Sequence, residues 1–337
     1  MLLAMDVLAL TRELVDIESI TGNEAAVGEF LQRRLSELGY DATLMPVEGK
    51  RHNVYAVPRQ QPRPEVFFST HMDTVPPFMP WSEDETSIYG RGSCDAKGII
   101  AAQMAAAEKL RQQGTGAGLL FVVGEERDSA GAKFANQYPA GGRFLINGEP
   151  TENRLAAATK GTLRVKFFAE GRMAHSAYPE LGESATEKLL DALERVRRVP
   201  LPQDKELGRC TLNIGLIDGG RAPNVIPDHA HAELMYRTIG PCDELKRQIV
   251  TAAEPLVRIE WGLELPFVRL RTLDGLPTMI AAFGTDIPSL TNWGEPLLLG
   301  PGSIHVAHTE REHVEKRQLL EAVELYVELA SRLMKED

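Results

Sequence analysis

Cysteine is scarce in this chain. Its three thiols, Cys94, Cys210 and Cys242, are not spaced as zinc-finger ligands, and an odd count so small cannot close a disulfide framework. A reducing compartment is the economical expectation, and the cytoplasm its default. Long apolar runs are missing too. The opening Met1-Leu2-Leu3-Ala4-Met5-Asp6-Val7-Leu8 has no basic flank and is broken by Asp6, so neither a signal peptide nor a membrane span is expected. Basic charge is also short: 37 Lys and Arg stand against 48 Asp and Glu, a net charge of -11. The densest basic stretch, Glu194-Arg195-Val196-Arg197-Arg198, is brief and reads as a solvated helix face. Nucleic acid is therefore not an expected partner.

What remains is ample. Residues of hydrophobic type make up 43% of the chain, enough for ordinary cores, and 337 residues exceed the comfortable size of a single one, so two domains are expected. Apolar positions at helical spacing predict helices over 6–18 and 23–38, separated by Thr21-Gly22-Asn23, with Asn23 as N-cap and Gly39 as the stop. Strands are expected at 41–46, 52–57, 65–70, 119–123 and 144–147, and a long helix over 97–112. Strands alternating with helices indicate a layered α/β domain. From about Gly161 the style changes. Strand patterns at 163–169, 211–216, 229–236 and 257–267 alternate with helices at 184–198 and 243–256 in the order β-α-β-β-α-β, a self-contained α+β unit. Segments 280–283, 296–299 and an amphipathic helix over 314–334 return to the first style. The expected organisation is a domain of residues 1–160 and 272–337 with a smaller domain, 161–271, inserted.

Several strands end in groups that can carry chemistry. Phe67-Phe68-Ser69-Thr70-His71-Met72-Asp73 is an apolar run ending in His-x-Asp, and open α/β sheets place their chemistry at such carboxyl ends. His71 is a candidate metal ligand, with Asp73 orienting it directly or through a neighbour. The Gly90-to-Gly98 loop brings Asp95 close to a helix start, where an acid is favoured as a simple cap or as a carboxylate bridging two cations. Its glycine-lysine spacing does not match a phosphate loop. Leu120-Phe121-Val122-Val123-Gly124-Glu125-Glu126 ends in two acids; burying both without a cation would be costly. Phe144 to Thr151 repeats the layout and contributes Glu149. Near the end of the chain, His305 and His308 follow Gly300-Pro301-Gly302, and spacing does not choose between them.

His71-Met72-Asp73, Gly90 to Gly98, Gly124-Glu125-Glu126, Gly148-Glu149-Pro150-Thr151 and Gly300 to His308, in this order, resemble the di-zinc amidohydrolase and peptidase family that contains acetylornithine deacetylase, succinyl-diaminopimelate desuccinylase, aminoacylase and a glutamate-releasing carboxypeptidase. The resemblance runs over essentially the whole chain. It implies a mixed central sheet in the catalytic domain, and a lid and dimerisation role for the insert, hence a homodimer. It also implies two zinc ions, replaceable by cobalt. One would be held by His71, Asp95 and Glu149, the other by Asp95, Glu126 and His308, with Asp95 bridging and a cis peptide following it. Glu125 matches the general acid/base acting on a zinc-bridged hydroxide, and Asp73 belongs to the catalytic set. His175 matches a histidine that steadies the oxyanion in the partner subunit's site. Asn224, Arg237 and Gly284 match substrate-binding positions, and Asp286 is expected to face the substrate end. The leading expectation is a cytoplasmic N-acyl amino acid deacylase similar to acetylornithine deacetylase of arginine biosynthesis, a choice supported by Glu149 where aminopeptidase-like relatives tend to carry Asp. An exopeptidase acting on short peptides shares every ligand and stays open, as does a non-catalytic binding protein of the same fold.

Overall fold

The structure is a computed structural model that describes residues 5–336. The chain forms two compact units. The first takes the described residues up to Ala157, then Leu270–Met279, then those from Thr285 onward; the second is Ala158–Arg269 with Ile280–Gly284. The 280–284 segment lies with the second unit because Lys160 N–H donates to the Ala281 carbonyl at 2.9 Å, which ties it to the start of that unit.

The first unit is built on a six-stranded mixed sheet in the order Tyr40–Glu48, Arg51–Pro58, Gly118–Val122, Val66–His71, Phe144–Asn147, Glu295–Leu298. The first two strands form an antiparallel pair, and Arg51–Pro58 is antiparallel to Gly118–Val122. The remaining neighbours run parallel. The three inner parallel strands are buried throughout, as a sheet covered on both faces requires. Alternation sorts their side chains between two cores. Phe68, Leu119, Phe121, Phe144 and Ile146 join one. Phe67, Leu120, Val122 and Leu145 join the other, with Trp293. The first core is closed by helix Lys97–Gln112, whose alanine-rich run is buried along nearly its whole length. Small side chains let it lie close to the sheet, with Val7–Val15 and Lys316–Leu333 in the same cluster.

The second unit holds a four-stranded antiparallel sheet in the order Thr211–Gly219, His229–Thr238, Gly161–Glu170, Arg258–Leu265. Helices Ala185–Arg197 and Asp243–Ala253 bury their apolar stripes with it in a separate core. The β-α-β-β-α-β order read from the sequence is present here.

Local departures have local causes. Helix Ala25–Glu37 starts without a side-chain cap. Asn23 donates its N–H to the Ile20 carbonyl instead, and Glu24, at the cap position, pairs its carboxylate with buried Arg51. The helix expected over 243–256 stops at Ala253, before Pro255, which cannot supply a helical N–H. The strand expected at 280–283 runs instead over Thr278–Ala281. Short strands Ser82–Glu83 and Ser87–Tyr89 and helix Ala130–Ala135 are too brief for a periodic signal. Among the described residues no helix is long and apolar enough to cross a membrane.

Candidate metal centre

Three adjacent parallel strands deliver acids or imidazole at one edge of the first unit's sheet. Val66–His71 ends in the imidazole, Gly118–Val122 leads into Glu125 and Glu126, and Phe144–Asn147 leads into Glu149. The loop before helix Lys97–Gln112 adds Asp95, and the segment after Glu295–Leu298 adds His308.

Asp95 is the hub. Its Oδ1 accepts from His71 Nε2 at 2.9 Å, while its Oδ2 lies 3.3 Å from His308 Nε2. His308 Nε2 also meets Glu126 Oε1 at 2.9 Å. Ligand atoms of His71, Asp95 and Glu126 all lie within 4.8 Å of one another. Glu149 is outside that trio but buried, and close enough to Glu125, Asp95 and His71 for their charges to act on it. His308 takes a left-handed backbone at φ 63°, which few non-glycine residues adopt outside functional or tightly held positions. The bond between Asp95 and Ala96 is cis. His305 is exposed, and its backbone N–H donates to Ser303 Oγ at 3.4 Å.

Buried acids and imidazoles are crowded together here. Burial pushes Glu149 and Glu125 far above the usual carboxylate range, reinforced by the neighbouring acids, and pushes Glu126 up as well. Hydrogen bonds to Asp95 and Glu126 pull His308 up to about 10. Burial opposes a charge on His71, yet Asp73 and Asp95 hold its pKa well above the ordinary value. Burial likewise opposes ionisation of Asp95, and the imidazoles of His308 and His71 overcome it, holding Asp95 low. Divalent cations would relieve the repulsion among these buried acids. A donor set of carboxylate oxygens and imidazole nitrogens, with one carboxylate offering separate oxygens to two imidazole-bearing sides, suits a pair of such ions. The Cys94 thiol is no part of the set, since it donates to the Ser303 carbonyl at 3.4 Å.

Asp73 stands behind His71 and has a second task. His71 Nδ1 is oriented by the Asp73 backbone carbonyl at 2.9 Å, while the carboxylate oxygen is 3.6 Å away. That carboxylate accepts N–H bonds from Gly124, Glu125 and Glu126 at 2.9, 3.1 and 3.3 Å, and a 2.8 Å bond from Thr21 Oγ1. It fixes the turn that carries both glutamates. Asp286 is 1% exposed, and neither of its carboxylate oxygens has a hydrogen-bond partner among the described residues; it is close enough to Glu125 and Glu149 for its charge to act on them.

The second unit brings two of its expected residues together. His175 pairs in register with Val225, and Ser176 N–H donates to the Asn224 carbonyl at 3.0 Å. Ala177 N–H donates to His175 Nδ1 at 3.1 Å, which requires the neutral ring to carry its proton on Nε2. Arg237 is half-buried; it donates to Thr162 Oγ1 at 2.7 Å and has no acidic partner among the described residues. Gly284 packs against Leu265, whose Cδ1 would lie 3.3 Å from an added Cβ.

The chain is similar to known proteins over most of its length. The family described as peptidase family M20/M25/M40 matches residues 67–332. A peptidase M20 domain-containing protein of Schizosaccharomyces pombe is 38% identical, the match covering 95% of this chain and 83% of that one. A protein of Aspergillus terreus named as a probable carboxypeptidase is also 38% identical, over 97% of this chain and 86% of its own length. Among solved structures, a tripeptidase from Staphylococcus aureus superposes with a TM-score of 0.81 at 23% identity, covering 97% of this chain and 98% of that one. That last likeness speaks to the fold.

Proposed function

The chain belongs to peptidase family M20/M25/M40, and from that premise we propose that it is a metal-dependent exopeptidase of the carboxypeptidase type, acting on short peptides. The observation that carries this reading is Asp95, whose two oxygens face His71 and His308 separately beside a turn that presents Glu125. The relatives' names favour an exopeptidase over the acetylornithine deacetylase expected from the sequence.

His71, Asp95 and Glu149 would hold one cation, and Asp95, Glu126 and His308 the other, with zinc as the proposed metal and cobalt as its substitute. Such a pair, when bound, supplies Lewis-acid polarisation of the scissile carbonyl and acidification of water. The chain's own groups do the rest. Glu125 makes no side-chain hydrogen bond among the described residues, and burial raises its pKa. Both features suit a base that takes a proton from attacking water and returns it to the leaving amine. Asp73 keeps that carboxylate in place through the 124–126 backbone. His175, with its proton on Nε2, offers a fixed donor for oxyanion charge. Arg237, lacking an acidic partner, offers its guanidinium to a substrate carboxylate, while Asn224 and Gly284 complete the substrate-binding assignment. The second unit supplies the surface of a homodimer.

The test is a substrate panel on zinc- or cobalt-loaded protein. It contains di- and tripeptides with free or amidated C-termini, N-acetylornithine and succinyl-diaminopimelate. Hydrolysis of peptides that is abolished by C-terminal amidation is expected; turnover confined to the acylated amino acids would return the assignment to a deacylase. In the same assay Glu125→Gln should retain metal and lose roughly 10²–10⁴-fold in turnover. Near-normal turnover in that variant would remove Glu125 from its role.

A further inference from the structure

Glu312 was not marked as a functional residue by the sequence, yet it is wholly buried beneath the loop that carries Asp95. Its two carboxylate oxygens have separate tasks. Oε2 pairs with the guanidinium of Arg91, itself only 2% exposed. Oε1 accepts three backbone N–H groups, from Gly92 at 2.8 Å, Cys94 at 3.3 Å and Asp95 itself at 3.2 Å. The Glu312 carbonyl also accepts from Gly90 N–H at 3.1 Å.

An ion pair for general stability would need only the oxygen that faces Arg91. The other oxygen gathers the N–H groups of a loop whose shape is otherwise demanding: Gly90 and Gly92 sit at φ 133° and 85°. Arg91 is anchored in turn by its Nε bond to the Pro77 carbonyl at 3.3 Å. The route from Glu312 to the metal group is short, since one of the three N–H groups belongs to Asp95.

We propose that Glu312 is a positioning residue. By clamping the backbone at Gly92, Cys94 and Asp95, it sets where both oxygens of the shared carboxylate lie, and so governs cation binding on both sides of the centre. The proposal rests on reading Asp95 as a metal ligand. Residues that orient ligands from behind change metal affinity by about 10–100-fold when lost.

The probe is cobalt alone, titrated into chelator-stripped full-length protein and followed by its visible absorption. Two double variants remove the ion pair equally. Arg91→Met with Glu312→Gln keeps an acceptor oxygen beneath the loop, and Arg91→Met with Glu312→Leu does not. The leucine variant should bind cobalt at least tenfold more weakly with an altered spectrum, and the glutamine variant should recover to within about threefold of wild type. Far-UV circular dichroism and the thermal midpoint report the fold of each. Equal cobalt binding by the two folded variants would overturn the proposal. Should the leucine variant not fold, Glu312→Asp decides: it keeps the charge but withdraws the oxygens by one methylene. A wild-type cobalt affinity and spectrum there would overturn the proposal, and a tenfold loss would support it. Asp95→Asn isolates the underlying reading, since undiminished cobalt binding in that variant removes the ligand assignment whatever the Glu312 variants do.

Discussion

Asp286 carries a burial cost that its surroundings offset only in part. Burial raises its pKa from 3.8 to about 6, so the unfolded chain ionises it more readily than the folded one. Its contribution is therefore fully favourable below about pH 4 and is lost as pH climbs through 6. With about 1.36 kcal/mol per pKa unit, the loss is about 3 kcal/mol. Asp286→Asn has no such loss. In urea unfolding of the chelated protein, its advantage over wild type should be near zero at pH 4 and widen toward pH 7; a gap independent of pH would show that the carboxylate is not ionising under strain. The sequence could not say that this residue was buried, because a lone Asp in a polar segment looks the same either way. Glu312 was hidden for a related reason. In Glu310-Arg311-Glu312 its charge pattern is that of a solvated turn. The candidate ligands were easier to read: an apolar strand that stops at or just before an acid or imidazole is unusual enough to stand out, three strands do so, and the family resemblance of five motifs in order supplied Asp95 and His308.

Elements were legible where their periods were long. Helix Lys97–Gln112 and strand Phe144–Asn147 match the expected spans, since each is a continuous apolar or small-residue run with a glycine beyond it. Short pieces gave no period, and Asn23 gave a cap signal that the backbone did not use. Two helical glycines test how far local propensity governs these elements. Glycine in a helix interior ordinarily costs up to about 1 kcal/mol relative to alanine. At Gly28 an added Cβ would meet its nearest neighbour at 3.7 Å, an ordinary contact, so Gly28→Ala should raise the thermal midpoint slightly. At Gly98 the added carbon would lie 2.3 Å from the Ser93 carbonyl oxygen, backbone that belongs to the Asp95 loop. Gly98→Ala should reverse the sign, lowering the midpoint and weakening cobalt binding. Parallel behaviour of the two variants would mean that the loop yields freely.

At the scale of the whole molecule, each unit has a core of its own, and the change of pattern near Gly161 made that division readable. The second unit's outer strand Thr211–Gly219 leaves Leu216 and Ile217 at 43% and 54% exposure. A free edge bearing apolar side chains is poised to pair with another strand, which supports the proposed homodimer. Ile217→Lys should shift sedimentation from dimer toward monomer and reduce turnover with it. A wild-type protein that sediments as a fully active monomer would overturn the dimer.

The first unit's sheet has a consequence for synthesis. Its outer strand Glu295–Leu298 pairs with Phe144–Asn147, and between them the ribosome must translate all of the second unit. Until then the nascent sheet has an open flank, His308 has not been made, and Glu312 is not there to gather the Gly92-to-Asp95 backbone. A chain cut short before Glu295 would thus lack the outer strand of the sheet and, on the proposed assignment, the imidazole of the second cation site.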